Sequence, residues 1–259
     1  MFNLEKQYLD LIDSEGNCFI VYRAKLKISF FRLSYSSIIF SKSKGKTIEK
    51  VSFKKILTLD EEDTININLQ DLDVKGRWRR KKEGIHAKLY QDKHGKELIW
   101  HCYHPLADVE LEFQQKKFSG LGYAETIILS ITPWKLPIEI LRWGRYLSEQ
   151  NSIIWIEWKG SYPINNLYYN GECFNDTIFN ENSLSFGGNS YSLNFEEPIT
   201  IRKGELSSIA AKIPWIRFFF KSKFLNGVEI KYKSKSNFKR DGEIIDLGWS
   251  LFEIVKWKI

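Results

Sequence analysis

The stretch "GYAETIILSITPWKLP", Gly122 to Pro137, decides how the chain is read. Taken with a period of two, Tyr123, Glu125, Ile127, Leu129 and Ile131 form one row, and Ala124, Thr126, Ile128 and Ser130 the other. Such alternation marks an extended strand, whose successive side chains point to opposite faces. The anomaly is Glu125, a carboxyl in the more apolar row. Between Tyr123 and Ile127 its ionised form loses solvation, so its pKa rises unless a cation pairs with it. The other reading is an ion pair with Arg142 or Arg145 that closes a barrel.

The same short period runs outward in both directions. "NCFIVYRAKLKISFFRLSYSSIIF", Asn17 to Phe40, reads as strand, bend and strand, and Lys44 to Lys46 as a turn. "TININLQDL" sets Ile65, Ile67 and Leu69 against Asn66, Asn68 and Gln70, the pattern of a half-buried antiparallel strand. "GIHAKLYQ", "KELIWHCY" and "DVELEFQQKKF" follow as strands, the first two joined by a turn at "DKHGK". Asn170-Gly171 is a second strong turn, and short strands continue through "WIRFFF" and "VEIKYKS" to "SLFEIVKWK". Only Leu136 to Gln150 has a helical look. The expectation is an all-β chain of about fifteen strands, too many for one open sheet and therefore closed into barrels or split into packed units.

Composition agrees. The 259 residues include 9 Trp, 12 Tyr and 18 Phe against a single Met, which suits sheets and an aromatic cavity. Cys18, Cys102 and Cys173 form no CxxC pair, so neither a zinc ribbon nor a disulfide framework is indicated. The N-terminus lacks the apolar run of a signal peptide, and no apolar segment is long enough to span a membrane. A cytoplasmic protein is expected. The net charge of +7 raises nucleic acid or an anionic membrane surface as a partner. Its densest patch is "RWRRKK", with Arg77, Arg79, Arg80, Lys81 and Lys82 around Trp78. A solvated hairpin tip is the bland reading of that run, and contact with anionic lipid the sharper one. No base-reading motif accompanies it, so specific nucleic-acid recognition is not expected.

All four histidines lie between His86 and His104. In an unbroken strand His101 and His104 project to opposite faces, which argues against a metal. No nucleophile elbow, P-loop or dinucleotide fingerprint is present, and no cofactor is implied. "PWKLPIEILRWGRY", Pro133 to Tyr146, places Trp134, Arg142, Trp143 and Arg145 either in a structural plug or at the mouth of a pocket. In "SIIWIEW", Glu157 shares a row with Trp155, making a second carboxyl among aromatics.

The runs "GLGYAE" (Gly120–Glu125), "LRWGRY" (Leu141–Tyr146) and "IIWIEWKG" (Ile153–Gly160) resemble the lipocalin-like superfamily of AttH and hydroxyneurosporene synthase, the carotenoid hydratases, with tocopherol cyclase a more distant relative. That resemblance implies two consecutive lipocalin-like β-barrels, here residues 1–135 and 136–259. It also implies a hydrophobic, isoprenoid- or lipid-like ligand in an aromatic-lined barrel pocket. Glu125 would be the general acid toward an alkene in a hydration, cyclisation or isomerisation, with His101 or Glu157 orienting it. Trp100, Tyr123, Trp134, Arg142, Trp143, Arg145 and Trp155 would line the ligand. The alternative is a non-catalytic carrier or a peripheral membrane protein.

Overall fold

A computed structural model describes residues 2–44, 47–55, 63–211 and 225–257. The chain divides into two compact units, Met1–Thr132 and Pro133–Ile259, each carrying one nine-stranded antiparallel sheet. The protein is all-β, two consecutive lipocalin-like barrels.

The first sheet holds β1 (Phe2–Ile12), β2 (Cys18–Ile28), β3 (Phe31–Ser41), β4 (Thr47–Ser52), β5 (Thr64–Leu69), β6 (Val74–Arg80), β7 (Ile85–Gln91), β8 (Glu97–Phe113) and β9 (Lys116–Leu129). Their order is β4-β3-β2-β1-β9-β8-β6-β5. The long β8 pairs with β7 along its first half and with β6 along its second. The sheet curls on itself: Phe40 of β3 lies 5.6 Å from Phe118 of β9 and 5.5 Å from Phe113 of β8, across strands far apart in the order. Leu9, Leu11, Val21, Ile65, Ile67, Trp78 and Val109 fill the inside. Strand β5 behaves as its alternation demands, with Ile65 and Ile67 buried and Asn66 and Asn68 exposed.

The second sheet holds β10 (Ile140–Leu147), β11 (Ser152–Lys159), β12 (Ile164–Tyr169), β13 (Glu172–Phe174), β14 (Ile178–Phe179), β15 (Ser183–Phe186), β16 (Tyr191–Glu205), β17 (Val228–Arg240) and β18 (Glu243–Lys256), with a short helix α1 (Leu206–Ala211) after β16. The order is β13-β12-β11-β10-β18-β17-β16-β15-β14. It too curls, since Phe174 of β13 meets Phe186 of β15 at 5.1 Å. Tyr146, Trp155, Leu193 and Phe238 pack inside.

Several expectations change. Residues 136–150 hold strand β10 rather than a helix, because "ILRWGRYL" buries both of its rows against β11 and β18. The N-terminal segment, with no reading as a strand above, is β1 at the centre of the first sheet. "DVELEFQQKKF" is two strands, turned at Gln114 and Gln115 with φ of 52° and 64°. Glutamines adopt that left-handed turn without the Gly or Asn that normally announces it. "WIRFFF" lies outside the described residues.

The glycine in "RWGR" has a steric reason. A Cβ on Gly144 would overlap the Trp155 indole and the Phe252 side chain that close over it. Gly144→Ala is expected to cost about 1–3 kcal/mol in denaturant unfolding, as overpacking of a filled interior does. An unchanged midpoint would mean the ring moves aside freely.

Candidate functional site

Antiparallel register sets the faces. On β9, Glu125 stands opposite Tyr8 of β1 and Cys102 of β8, while Tyr123 stands opposite Asp10. The alternate residues Ala124, Leu9 and Val21 belong to the packed interior. Glu125 therefore sits on the face opposite the barrel core, not inside it. That face is buried as well: Glu125 is 5% exposed, Asp10 and Cys102 fully covered, and Tyr123 2% exposed.

Two donors hold the carboxyl. Trp100 Nε1 and the Tyr123 hydroxyl each donate to Oε2 at 2.6 Å. Among the described residues no hydrogen bond reaches Oε1. Burial is the largest influence and raises the Glu125 pKa from the ordinary 4.5 to about 7, against the lowering effect of the two hydrogen bonds and of Lys6. Asp10 pushes the same way as burial. Desolvation also drives the Tyr123 phenol and the Cys102 thiol well above their usual values, so both stay protonated. Tyr8 donates to Asp10 Oδ2 at 3.0 Å and lies edge-on to Tyr22 and Tyr123, and Lys6 Nζ rests 4.6 Å from the Tyr22 ring centre. The result is a buried acid, half protonated near neutrality, walled by phenol and indole rings.

Of the residues singled out in the sequence, Trp100, Tyr123 and Glu125 come together. His101 does not join them. It pairs with Thr126 and His86, on the face opposite Glu125, and its Nδ1 meets the Tyr103 hydroxyl at 2.8 Å. His104 pairs with Ala124. A bulge between Cys102 and His104 thus brings His101 and His104 to one face, where unbroken alternation would separate them. Among the described residues no three His, Cys, Asp or Glu side chains are grouped to hold a metal.

The other candidates belong to the second unit. Arg142 is ion-paired with Glu157, not Glu125, and lies 5.7 Å from the Phe179 ring centre. Trp155 is in the packed interior. Trp143 and Arg145 occupy the alternate row of β10, with Arg145 donating to the Trp249 carbonyl at 3.0 Å. Trp134 lines a pocket of about 210 Å³ with Leu136, Glu139 and Trp257. Trp78 of the basic run is fully buried in the first core, while Arg79, Arg80 and Lys81 are paired with Glu110, Asp63 and Asp108. Sequence reading missed Tyr8, Asp10 and Cys102. The signal was the alternation of Leu9 and Leu11 with Tyr8 and Asp10.

No protein-family model matches the chain, and no curated protein matches it in sequence. Solved structures match its three-dimensional form. CghA, in a complex with Sch210972, gives a TM-score of 0.61 at 10% identity, over 98% of this chain and 88% of that one. An AttH-type protein from Nitrosomonas europaea gives 0.57 at 11%, covering 99% and 93%. The chain has the AttH-like lipocalin fold. Kievitone hydratase from Nectria haematococca shares it, with a TM-score of 0.57 at 10% identity over 98% and 88% of the two chains. The likeness is one of architecture. No helix among the described residues is long and apolar enough to cross a membrane.

Proposed function

We propose that the protein binds a hydrophobic, alkene-bearing small molecule of isoprenoid or lipid-like type against the Glu125 face and adds a proton to it. The observation that carries this reading is the Glu125 carboxyl itself: buried, with no cation at hydrogen-bond distance among the described residues, and held through Oε2 by Trp100 and Tyr123. With Oε2 occupied by two donors, the acidic proton resides on Oε1. It passes to one alkene carbon as the C=C π pair forms the new C–H bond, leaving a carbocation at the other carbon. Water or an internal hydroxyl adds there, and the proton it releases returns to the carboxylate. A pKa near 7 suits an acid that must be both protonated and able to let go at neutral pH. The two donors that stay on Oε2 stabilise the transient carboxylate. The kinship in fold with a protein named as a hydratase supports this chemistry. A pure carrier, in contrast, would gain nothing from a desolvated acid.

The test starts from protein purified from its own host. Organic extraction and mass spectrometry identify the bound molecule, which is then incubated with fresh protein in D2O. Product carrying deuterium on carbon is expected. Turnover with no solvent deuterium on carbon rejects Glu125 as proton donor, and an empty extract from a protein that turns over no alkene rejects the reading as a whole.

A further inference from the structure

We propose that the β2–β3 end of the first sheet docks on an anionic lipid bilayer, with Phe30 entering the interface and a basic collar meeting the headgroups. The hairpin turns at Ser29 and Phe30, and Ser29 adopts the left-handed conformation with φ of 54°. Phe30 at the tip is 95% exposed, which no folding benefit explains. Lys27 and Arg32 stand opposite one another directly below it. No acidic residue occurs in the chain between Glu15 and Glu49, so the hairpin itself carries only positive charge. Lys25, one step further down, faces Glu5 of β1.

The same end gathers a second group of this kind. β4 runs antiparallel to β3 and ends with Ser52 opposite Ser36, so residues 53–55 continue toward the hairpin tip. Phe53 is 42% exposed and leans on Tyr35 with ring centres 5.9 Å apart, and Lys54 and Lys55 beside it are exposed. Single exposed aromatics are ordinary on protein surfaces. An exposed Phe at the apex of a hairpin whose own charged residues are all Lys and Arg is a different matter. A bilayer bearing anionic lipid takes up the ring and neutralises the collar at once, whereas duplex nucleic acid would meet the charges and leave the ring in water. The basic run at residues 77–82 is the weaker surface, because Arg79, Arg80 and Lys81 already have carboxylate partners.

Sedimentation of the full chain with vesicles of phosphatidylcholine, with and without an equal amount of phosphatidylglycerol, tests the proposal. Binding is expected only where phosphatidylglycerol is present, and it should weaken as salt is raised. Phe30→Ser should weaken binding about tenfold, the scale of losing one aromatic insertion. Lys27→Glu with Arg32→Glu should weaken it by at least about twenty-five-fold, at roughly fivefold for each of the two positive charges removed. Unchanged thermal melts confirm that these exposed positions leave the fold intact. Absence of binding by the wild type, binding that ignores phosphatidylglycerol, or wild-type binding by both tip variants overturns the proposal. So does an equal loss on Arg79→Glu with Lys81→Glu, or displacement of the vesicles by duplex DNA.

Discussion

Glu125→Gln is expected to lower turnover of the alkene ligand by about a hundred- to ten-thousand-fold while leaving its binding nearly intact, the range for loss of a positioned general acid. Gln keeps the shape and still accepts from Trp100 and Tyr123, but it has no proton to give. The same variant should alter stability in a way that needs no substrate. The folded-state pKa of Glu125 is raised above its ordinary 4.5 to about 7, so the folded protein holds the proton more tightly than the unfolded chain. Its stabilising contribution is then fully present below about 4.5 and is lost as pH rises through about 7. One pKa unit corresponds to about 1.4 kcal/mol, so the difference between wild type and Gln should grow by roughly 3 kcal/mol across that window. Above pH 8 the Gln variant should be the more stable. Tyr123→Phe removes a donor from the carboxylate and should push the pKa higher still, shifting the alkaline limb of the rate profile to higher pH. A flat difference curve between pH 5 and 8 would show that Glu125 is solvated, and the acid chemistry would fall with it.

The second large effect is expected at Glu229. On the face of the second sheet opposite its aromatic interior, Arg202 Nε donates to Glu229 Oε2 at 3.0 Å and Lys231 Nζ lies 3.2 Å from Oε1. Lys231 is also paired with Glu253. The Lys231 side chain is 3% exposed and that of Glu229 10%, so the cations have little water to fall back on. Glu229→Ala should therefore cost about 3–5 kcal/mol in denaturant unfolding of the second unit, the scale for removing one partner of a buried ion pair. Measured against a typical domain stability of about 5–15 kcal/mol, that is a severe loss. Glu229→Gln, which keeps the hydrogen-bond acceptor, should fall between. A cost under about 1 kcal/mol would mean that water reaches the row and screens it.

How far the sequence could carry these conclusions differs residue by residue. Strict alternation located β5, and the apolar neighbours of Glu125 foretold its desolvation. The face it occupies was not readable, because both rows of β9 are buried and periodicity does not say which one lines the barrel. The row Glu229, Lys231 and Lys233 looks like a solvent face in "VEIKYKS", yet those three are more buried than Ile230 and Tyr232 between them. Charge alternation assumes that one side of a strand is wet, and here the assumption fails. The basic run misleads for a related reason: its partners Glu110, Asp63 and Asp108 are scattered along the chain and meet it only through sheet pairing or a turn. "QQ" hides a turn that glutamine side chains do not advertise.

The bulge at Tyr103 has a consequence for what lengths this protein can tolerate. Upstream of it, Trp100 and Cys102 share the face of Glu125; downstream, Ala107, Val109 and Leu111 serve the opposite, packed face. Excising Tyr103 would leave Cys102 opposite Glu125 and His104 opposite Ala124, so the ladder closes up and each face keeps its residues. Excising a residue from the regular run between Ala107 and Phe113 would instead reverse the parity of everything on one side of the cut. Either the indole that grips Glu125 would be turned away from it, or the aliphatic filling would be turned out of the barrel. A one-codon deletion is thus harmless to the acid's setting only at a surplus residue.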